Sequence, residues 1–211
     1  LPVFMTLRIR ACHMTGSFIA KDNKVPEFNL NNPVPEAAYD VTKIVLPPAS
    51  YNHEQDKFAE RLPAVQRFIR EHGINEIFAG DGGRYGIITQ GGAHGMVARS
   101  LRQLGAADGY GNSDVPMLVL NVIHPLVPEE IAEFMSDKDS VLVVEEGNPN
   151  LIETQIAQIA HNNRINCRVR GKDVLPMAGE YVTDVVRAGL ADYLAADGPG
   201  QLRAAAEANE A

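Results

Sequence analysis

The chain has 211 residues, 45% of them hydrophobic, enough to bury one substantial core and some additional segment. Its 19 basic and 27 acidic residues leave a formal charge of −8, which argues against nucleic acid as a partner, because phosphate backbones demand a basic footprint. No apolar run approaches the roughly 20 residues of a membrane helix, so the expectation is a cytoplasmic protein without membrane contact.

Pro2 to Arg10 is apolar and rich in β-formers and reads as a strand, with Ala11 to Ser17 as the turn beyond it. The opening residues lack the basic start and longer apolar centre of a signal peptide. They read as a strand entered from its left, and the chain reads as a piece of a longer polypeptide. From Ala20 to Ser50 the sequence changes character: Pro26, Pro33, Pro35, Pro47 and Pro48, with several asparagines, break any regular element and make a long connector. Val3, Met5, Ile44, Val45 and Leu46 are expected to pack on the following domain, since exposed apolar surface costs about 25 cal/mol per Å². Glu54 to His72 has helical spacing, with Phe58, Leu62, Val65, Phe68 and Ile69 along one stripe and Gly73 as the stop. Pro63 inside that stripe implies a kink or a restart.

A strand–helix alternation follows. Apolar runs at Tyr85–Gln90, Met117–Val122 and Val141–Glu145 read as strands. Between and after them, Ala93–Leu104, Pro128–Met135 and Leu151–His161 read as helices, and Pro128 suits a first helical turn. Ile165–Val169 is a further short strand, and Glu180–Leu194 a helix with its stripe at Val182, Val185, Val186 and Leu190. After Ala195 the composition becomes that of a linker or tail. The expected fold is a three-layer α/β/α sandwich on a mostly parallel sheet. Such a sheet places the turns after its strands on one rim, where open α/β folds bind ligands or partners.

The chemistry-bearing residues on that rim are few. Gly80-Asp81-Gly82, with Asn112 the nearest later asparagine, has the outline of a thiamine-diphosphate Mg²⁺ motif, which needs a firm strand before the aspartate. Here the apolar strand comes after it, and a turn into that strand is the preferred reading. Gly91-Gly92 ahead of a helix is a candidate anion cradle. The spacing matches neither dinucleotide nor P-loop fingerprints, and tight packing is the preferred explanation of the two glycines. His94 in the next helical turn has no evident partner and reads as surface or interface. His124 and the pair Glu145–Glu146 end neighbouring strands, so two readings stay open. They form an acid/base pair, or a glutamate caps helix amides while His124 meets a partner; the second is preferred. Cys12 and Cys167 form no CxxC, zinc or iron–sulfur spacing, and a disulfide between them is not expected in so cysteine-poor a chain. No serine-hydrolase elbow, HExxH or Cys–His pairing stands out.

The run GIITQGG with its helix, then LNVIHPLVPEEIAEF, VLVVEEG and GKDVLPMAGEYV, resembles the transketolase-C-terminal-like domain of indolepyruvate ferredoxin oxidoreductase, in its long fused form. RLPAVQRFIREHGINE and KIVLPPASY extend the resemblance over most of the chain, and Pro2-Val3 with Arg10, His13 and Gly16 resembles the last strand of that family's pyrimidine-binding domain. The resemblance implies a division into 1–17, the end of a preceding α/β domain; 18–83, a connector with one helix; 84–195, the transketolase-C-terminal-like domain; and 196–211, a linker or tail. It implies an enzyme that oxidatively decarboxylates 2-oxoacids, ideally arylpyruvates, to acyl-CoA. Thiamine diphosphate, Mg²⁺ and iron–sulfur clusters would be its cofactors, with ferredoxin and CoA as partners. The diphosphate-binding and cluster domains are not among these residues, and the family does not place its Mg²⁺ motif where Asp81 stands. The chain would thus hold no cofactor and no catalytic residue of its own. It would serve assembly with the remaining domains of the enzyme and a homodimer, with Arg10, His13, His124, Glu145 and Glu146 as interface candidates. The competing reading is a free-standing α/β module binding a small anion or nucleotide at Gly91 and Gly92.

Overall fold

The computed structural model describes residues 3–5, 40, 44–110 and 112–198. The chain divides into two compact units, Leu1–Arg61 and Leu62–Ala211. In the first, helix α1 (Ala49–Asp56) runs into a wider π-helical segment, Lys57–Arg61. Arg61 holds that segment back onto α1, pairing with Asp56 at 2.9 Å and donating to the carbonyl of His53 at 3.3 Å. Val3, Met5 and Val45 expose 87%, 80% and 88% of their surface, and Ile44 and Leu46 are exposed too. Apolar character states that a surface favours cover, not which surface provides it.

The second unit opens with α2 (Leu62–Glu71). Pro63 sits in its first turn, where a missing amide costs no hydrogen bond, so the α-helical pattern restarts there. Gly73, at φ +54°, ends the helix. Five strands then form one sheet in the order β1-β3-β2-β4-β5: β1 (Glu76–Phe78), β2 (Tyr85–Gln90), β3 (Met117–Leu120), β4 (Ser140–Val144) and β5 (Arg168–Arg170). β2 to β5 are parallel, with Ile87 opposite both Met117 and Leu142, and Leu142 opposite Arg170. β1 is an antiparallel edge that sequence patterning did not suggest. Three residues are too few for a period to register.

The sheet is covered on both faces, which is why its central strands are mostly apolar and buried along their length. One face carries Ile87, Met117, Leu142 and Val144 against Val97 and Leu101 of α3 (His94–Gln103) and Val186 and Leu190 of α6 (Thr183–Asp197). The other carries Ile88, Leu118, Val141 and Val143. Against it pack Ile131 and Phe134 of α4 (Pro128–Met135) and Ile152 and Ile156 of α5 (Leu151–Asn162). The alternation of Val141, Leu142, Val143 and Val144 between faces is the two-residue period of a strand. The architecture is therefore the three-layer α/β/α sandwich on a mostly parallel sheet. Boundaries shift: β3 ends at Leu120 rather than Val122, β5 runs Arg168–Arg170 rather than Ile165–Val169, and α6 runs Thr183–Asp197 rather than Glu180–Leu194. At the amino-terminal side of the sheet, the buried Tyr193 hydroxyl lies 3.0 Å from the Ser140 carbonyl and 3.1 Å from that of Gly86, tying α6 to β2 and β4. At the far edge Arg170 pairs with Asp197 at 2.6 Å and with Asp173, closing the end of α6 onto β5.

Candidate functional site

The four parallel strands deliver Gln90, Leu120, Val144 and Arg170 to one rim, and the residues just beyond them build the candidate site. Glu145 is 5% exposed. Its carboxylate accepts the amide of Ile152 at 2.9 and 3.0 Å and that of Glu153 at 3.0 Å. These are first-turn donors of α5 with no carbonyl partner inside the helix. An anion there also meets the positive end of the helix dipole. Glu145 is the cap of α5, reached across the tight turn Glu146–Asn150.

Glu146 faces the other neighbour. Its own amide donates to the Gln90 side chain at 3.3 Å, and its carboxylate accepts the amide of Tyr181 at 2.9 Å. Between the two glutamates lies Lys172. Its ammonium donates to the Glu145 carbonyl and, at 2.7 Å, to the Tyr181 hydroxyl, and sits 4.7 Å from the centre of the Tyr181 ring. Its backbone amide donates to the Glu153 carboxylate at 3.0 Å. The buried Tyr181 hydroxyl donates in turn to the Pro176 carbonyl at 2.7 Å. Burial pulls the Lys172 ammonium below the usual lysine range, against the opposing pull of Glu145, Glu153 and Glu146. Burial, aided by Glu146, Glu145 and Glu153, pushes the Tyr181 phenol up to about 12. The group can hold an ammonium and a neutral phenol in fixed positions.

His124 lies apart from this knot. It is exposed and makes no hydrogen bond or ion pair with any described residue. It borders a shallow cleft of about 250 Å³ with Gln66, Leu126, Gln158, Ile159 and Asn162. The cleft is held open by Gln66 of α2, which donates to the Leu126 carbonyl at 2.7 Å. His124 and Glu145 follow strands that are not neighbours, since β2 lies between β3 and β4, and the Glu145 carboxylate is turned to helix amides, so the acid/base pair is not formed. The capping half of the open alternative holds, with Glu145 as the cap.

Gly91 approaches the end of β3 so closely that an added Cβ would stand 2.5 Å from the Asn121 side-chain oxygen; around Gly92 the space is open. Gly91 to Ala93 form a 3-10 turn ahead of α3. His94 stacks on Phe78 of the edge strand, with centroids 5.2 Å apart, and its Nε2 is closed off without a hydrogen-bond partner. Arg10 and His13 lie outside the described residues.

Thiamine diphosphate with Mg²⁺ does not fit the residues around Asp81. Gly80, at φ +56°, is pressed against Asp114 and Pro116, where an added Cβ would stand 2.6 Å from both. The Asp81 amide donates to the Asp114 carbonyl at 2.9 Å. Asn112 spends its side-chain amide on Asp108 at 2.7 Å. Asp81 is thus the exposed tip of a turn, and its supposed companion is committed elsewhere. Among the described residues no cluster of three or more His, Cys, Asp or Glu is arranged to hold a metal ion, and no helix is long and apolar enough to cross a membrane.

Lys172, Tyr181 and Glu153 were not singled out by sequence reasoning. All three lie in stretches that read as ordinary polar turn or helix, and the contacts that join them to Glu145 and Glu146 span 8 to 35 residues. The signal available was a single lysine following a strand, in a chain whose strand β4 ends in two glutamates.

The family model described as "Indolepyruvate oxidoreductase domain" matches residues 75–190. Among curated proteins, the indolepyruvate oxidoreductase subunit IorA of Methanothermobacter marburgensis is 29% identical over 193 residues, covering 89% of this chain and 29% of the relative. IorA of Methanothermobacter thermautotrophicus is 27% identical with the same coverage, and that of Archaeoglobus fulgidus is 28% identical over 92% of this chain. The chain therefore spans about 29% of the length of these relatives. No solved structure matches it. With the family model covering more than half its length, from the edge strand β1 into helix α6, the chain belongs to the indolepyruvate oxidoreductase domain family.

Proposed function

We propose that the chain is a non-catalytic assembly domain of a thiamine-diphosphate-dependent 2-oxoacid:ferredoxin oxidoreductase acting on arylpyruvates such as indolepyruvate. On this reading residues 84–195 are the transketolase-C-terminal-like domain, residues 1–17 and 18–83 join it to a preceding domain, and 196–211 lead out of it. The observation that carries the proposal is the state of the rim. Its carboxylate best placed for chemistry, Glu145, is buried and committed to helix amides, and the rim histidine makes no hydrogen bond or ion pair with any described residue. A general base must reach the proton it moves, and neither residue has that geometry. Thiamine diphosphate, Mg²⁺ and the iron–sulfur clusters belong, on this reading, to the parts of the enzyme outside these residues, as do the contacts with CoA and ferredoxin. The exposed His124 side of the rim then meets a neighbouring domain or the second subunit of a homodimer, in the cytoplasm.

The test is turnover of the full-length enzyme carrying His124→Ala, read beside its sedimentation. Weakened assembly, with turnover per assembled enzyme retained within about twofold, is the expected result. A loss of roughly a hundredfold with assembly intact, as removal of a general acid or base produces, overturns the proposal and makes the rim catalytic.

A further inference from the structure

Regular structure stops at Arg170 and resumes at Thr183, and the intervening residues 171–182 are held to the rest of the fold in an unusual way. Their backbone hydrogen bonds at Val174 and Leu175 close on Gly171, within the segment itself. Besides the pairing of Asp173 with Arg170 and the start of α6 on the Val182 carbonyl, polar ties that leave the segment run to Glu145, Glu146 and Glu153. Lys172 donates its amide to Glu153 and its ammonium to the Glu145 carbonyl, and Tyr181 donates its amide to Glu146. Two apolar anchors accompany them. Leu175 is 2% exposed, seated where Gly189 of α6 leaves room, and Tyr181 is buried in the same core cluster. Pro176 to Glu180, between the anchors, are exposed.

We propose that residues 171–182 form a strap that closes over the carboxyl end of β4 and is pinned there by the charge of Lys172, so that it opens as a unit separate from the sheet. The reason is electrostatic geometry. Glu145, Glu146 and Glu153 converge on this strap, and Lys172 is the cation placed among them, touching a carbonyl, a phenol and a ring face at once. Replace it with a neutral apolar side chain and the charge-assisted bonds to the Glu145 carbonyl and the Tyr181 hydroxyl are lost, while the Tyr181 hydroxyl keeps its bond to Pro176 and the sheet keeps both apolar faces. Partial opening is the expected response, because a segment with few backbone ties to its surroundings belongs to the low-stability end of a fold. Resting on the assembly reading of the rim, the strap sets whether the Glu145–Glu146 side of that rim is presented in one fixed shape.

The experiment is amide hydrogen exchange by mass spectrometry on the full-length protein, comparing wild type, Lys172→Met and Lys172→Arg. In Lys172→Met, peptides covering 171–182 should exchange at least tenfold faster, while those covering β2 and β4 keep their wild-type rates. Lys172→Arg, which keeps the charge, should stay within about threefold of wild type. Unchanged strap exchange in Lys172→Met, equal acceleration of strap and sheet, or equal loosening by Met and Arg each overturns the proposal. Should Lys172→Met not fold, Lys172→Gln, which also removes the charge, is read instead. Selective loosening of the strap supports the pin, and none removes it. Since strap exchange and sedimentation are separate readouts of the same full-length protein, unchanged strap exchange leaves the assembly reading standing, and normal assembly of His124→Ala leaves the strap standing.

Discussion

The two halves of the rim differ in how much of their hydrogen-bonding capacity they have already spent. Around β4 and β5 nearly every polar group is engaged: Glu145 on three amide contacts, Glu146 on Tyr181, Lys172 on a carbonyl and a phenol. Around the end of β3, His124 makes no hydrogen bond with a described residue and stands beside Gln158 and Asn162 on a cleft with an apolar floor at Leu126 and Ile159. Ile123, next to it, is 46% exposed. The first half resembles an interior moved to an edge, where charge is used to fix loops. The second resembles a surface with capacity in reserve. A rim built this way holds its own shape on one side and offers contacts on the other.

The contrast breaks most visibly at Glu145. Removing a cap costs up to about 2 kcal/mol, and hydrogen bonds to a charged acceptor reach about 3 kcal/mol when buried donors are left unpaired. Glu145→Ala should therefore lower unfolding free energy by about 2–3 kcal/mol, and Glu145→Gln, which can still accept, by about 1 kcal/mol. Denaturant midpoints at constant slope measure this. If Glu145→Ala costs less than an ordinary surface change, the engaged half of the rim is not what holds α5 in place.

A second test uses pH on the same half. The Tyr181 phenol is pushed up to about 12 from an ordinary 10.0, chiefly by burial. A raised pKa means the folded state holds this proton more tightly than the unfolded chain. The contribution is complete below pH 10 and is lost as pH rises towards 12. Alkaline unfolding of Tyr181→Phe should consequently show a shallower pH slope in that window. Some slope will persist, because burial also raises the Tyr85 and Tyr193 phenols. Identical slopes in wild type and Tyr181→Phe would show that the phenol ionises as freely in the fold as outside it.

The unspent half should respond in the opposite manner. His124→Ala removes an exposed side chain with no bonded partner, so stability should change by less than about 1 kcal/mol. A loss comparable to that of Glu145→Ala would erase the distinction between the halves. Gln158→Ala, on the neighbouring helical turn, serves as the companion measurement and should be equally mild.

These differences bear on what a sequence can disclose. The sandwich was legible because Tyr85–Gln90 and Val141–Val144 are short apolar runs bounded by turns, and because Pro128 and Leu151 open helices where their neighbours suggest. Glu145 was legible as a rim residue and, in one of two readings, as a cap, since a carboxylate just ahead of a helix has an obvious use. The strap was not. Its ties join positions 19 to 35 residues apart, and neither a helical nor a strand period connects such pairs. The edge strand Glu76–Phe78 escaped for a different reason, as its pairing with Met117–Val119 is chosen by tertiary contact rather than by local pattern.

The smallest expected effect lies away from the rim, at Asp81, and it guards the comparison against a rival account in which the chemistry sits at the other side of the sheet. Asp81 tips an exposed turn before β2, with its backbone anchored to Asp114. Its side chain supports no element, so Asp81→Ala should alter stability by no more than about 0.5 kcal/mol. A diphosphate-bridging Mg²⁺ would need this carboxylate and a second oxygen donor converging on one point, whereas Asn112 is turned to Asp108. Calorimetric titration of the chain with thiamine diphosphate and Mg²⁺ should accordingly give no saturable heat, in wild type and Asp81→Ala alike. Micromolar, Mg²⁺-dependent binding that Asp81→Ala abolishes would mean that the turn rearranges around the cofactor. The rim would then no longer be the face of this domain on which function turns.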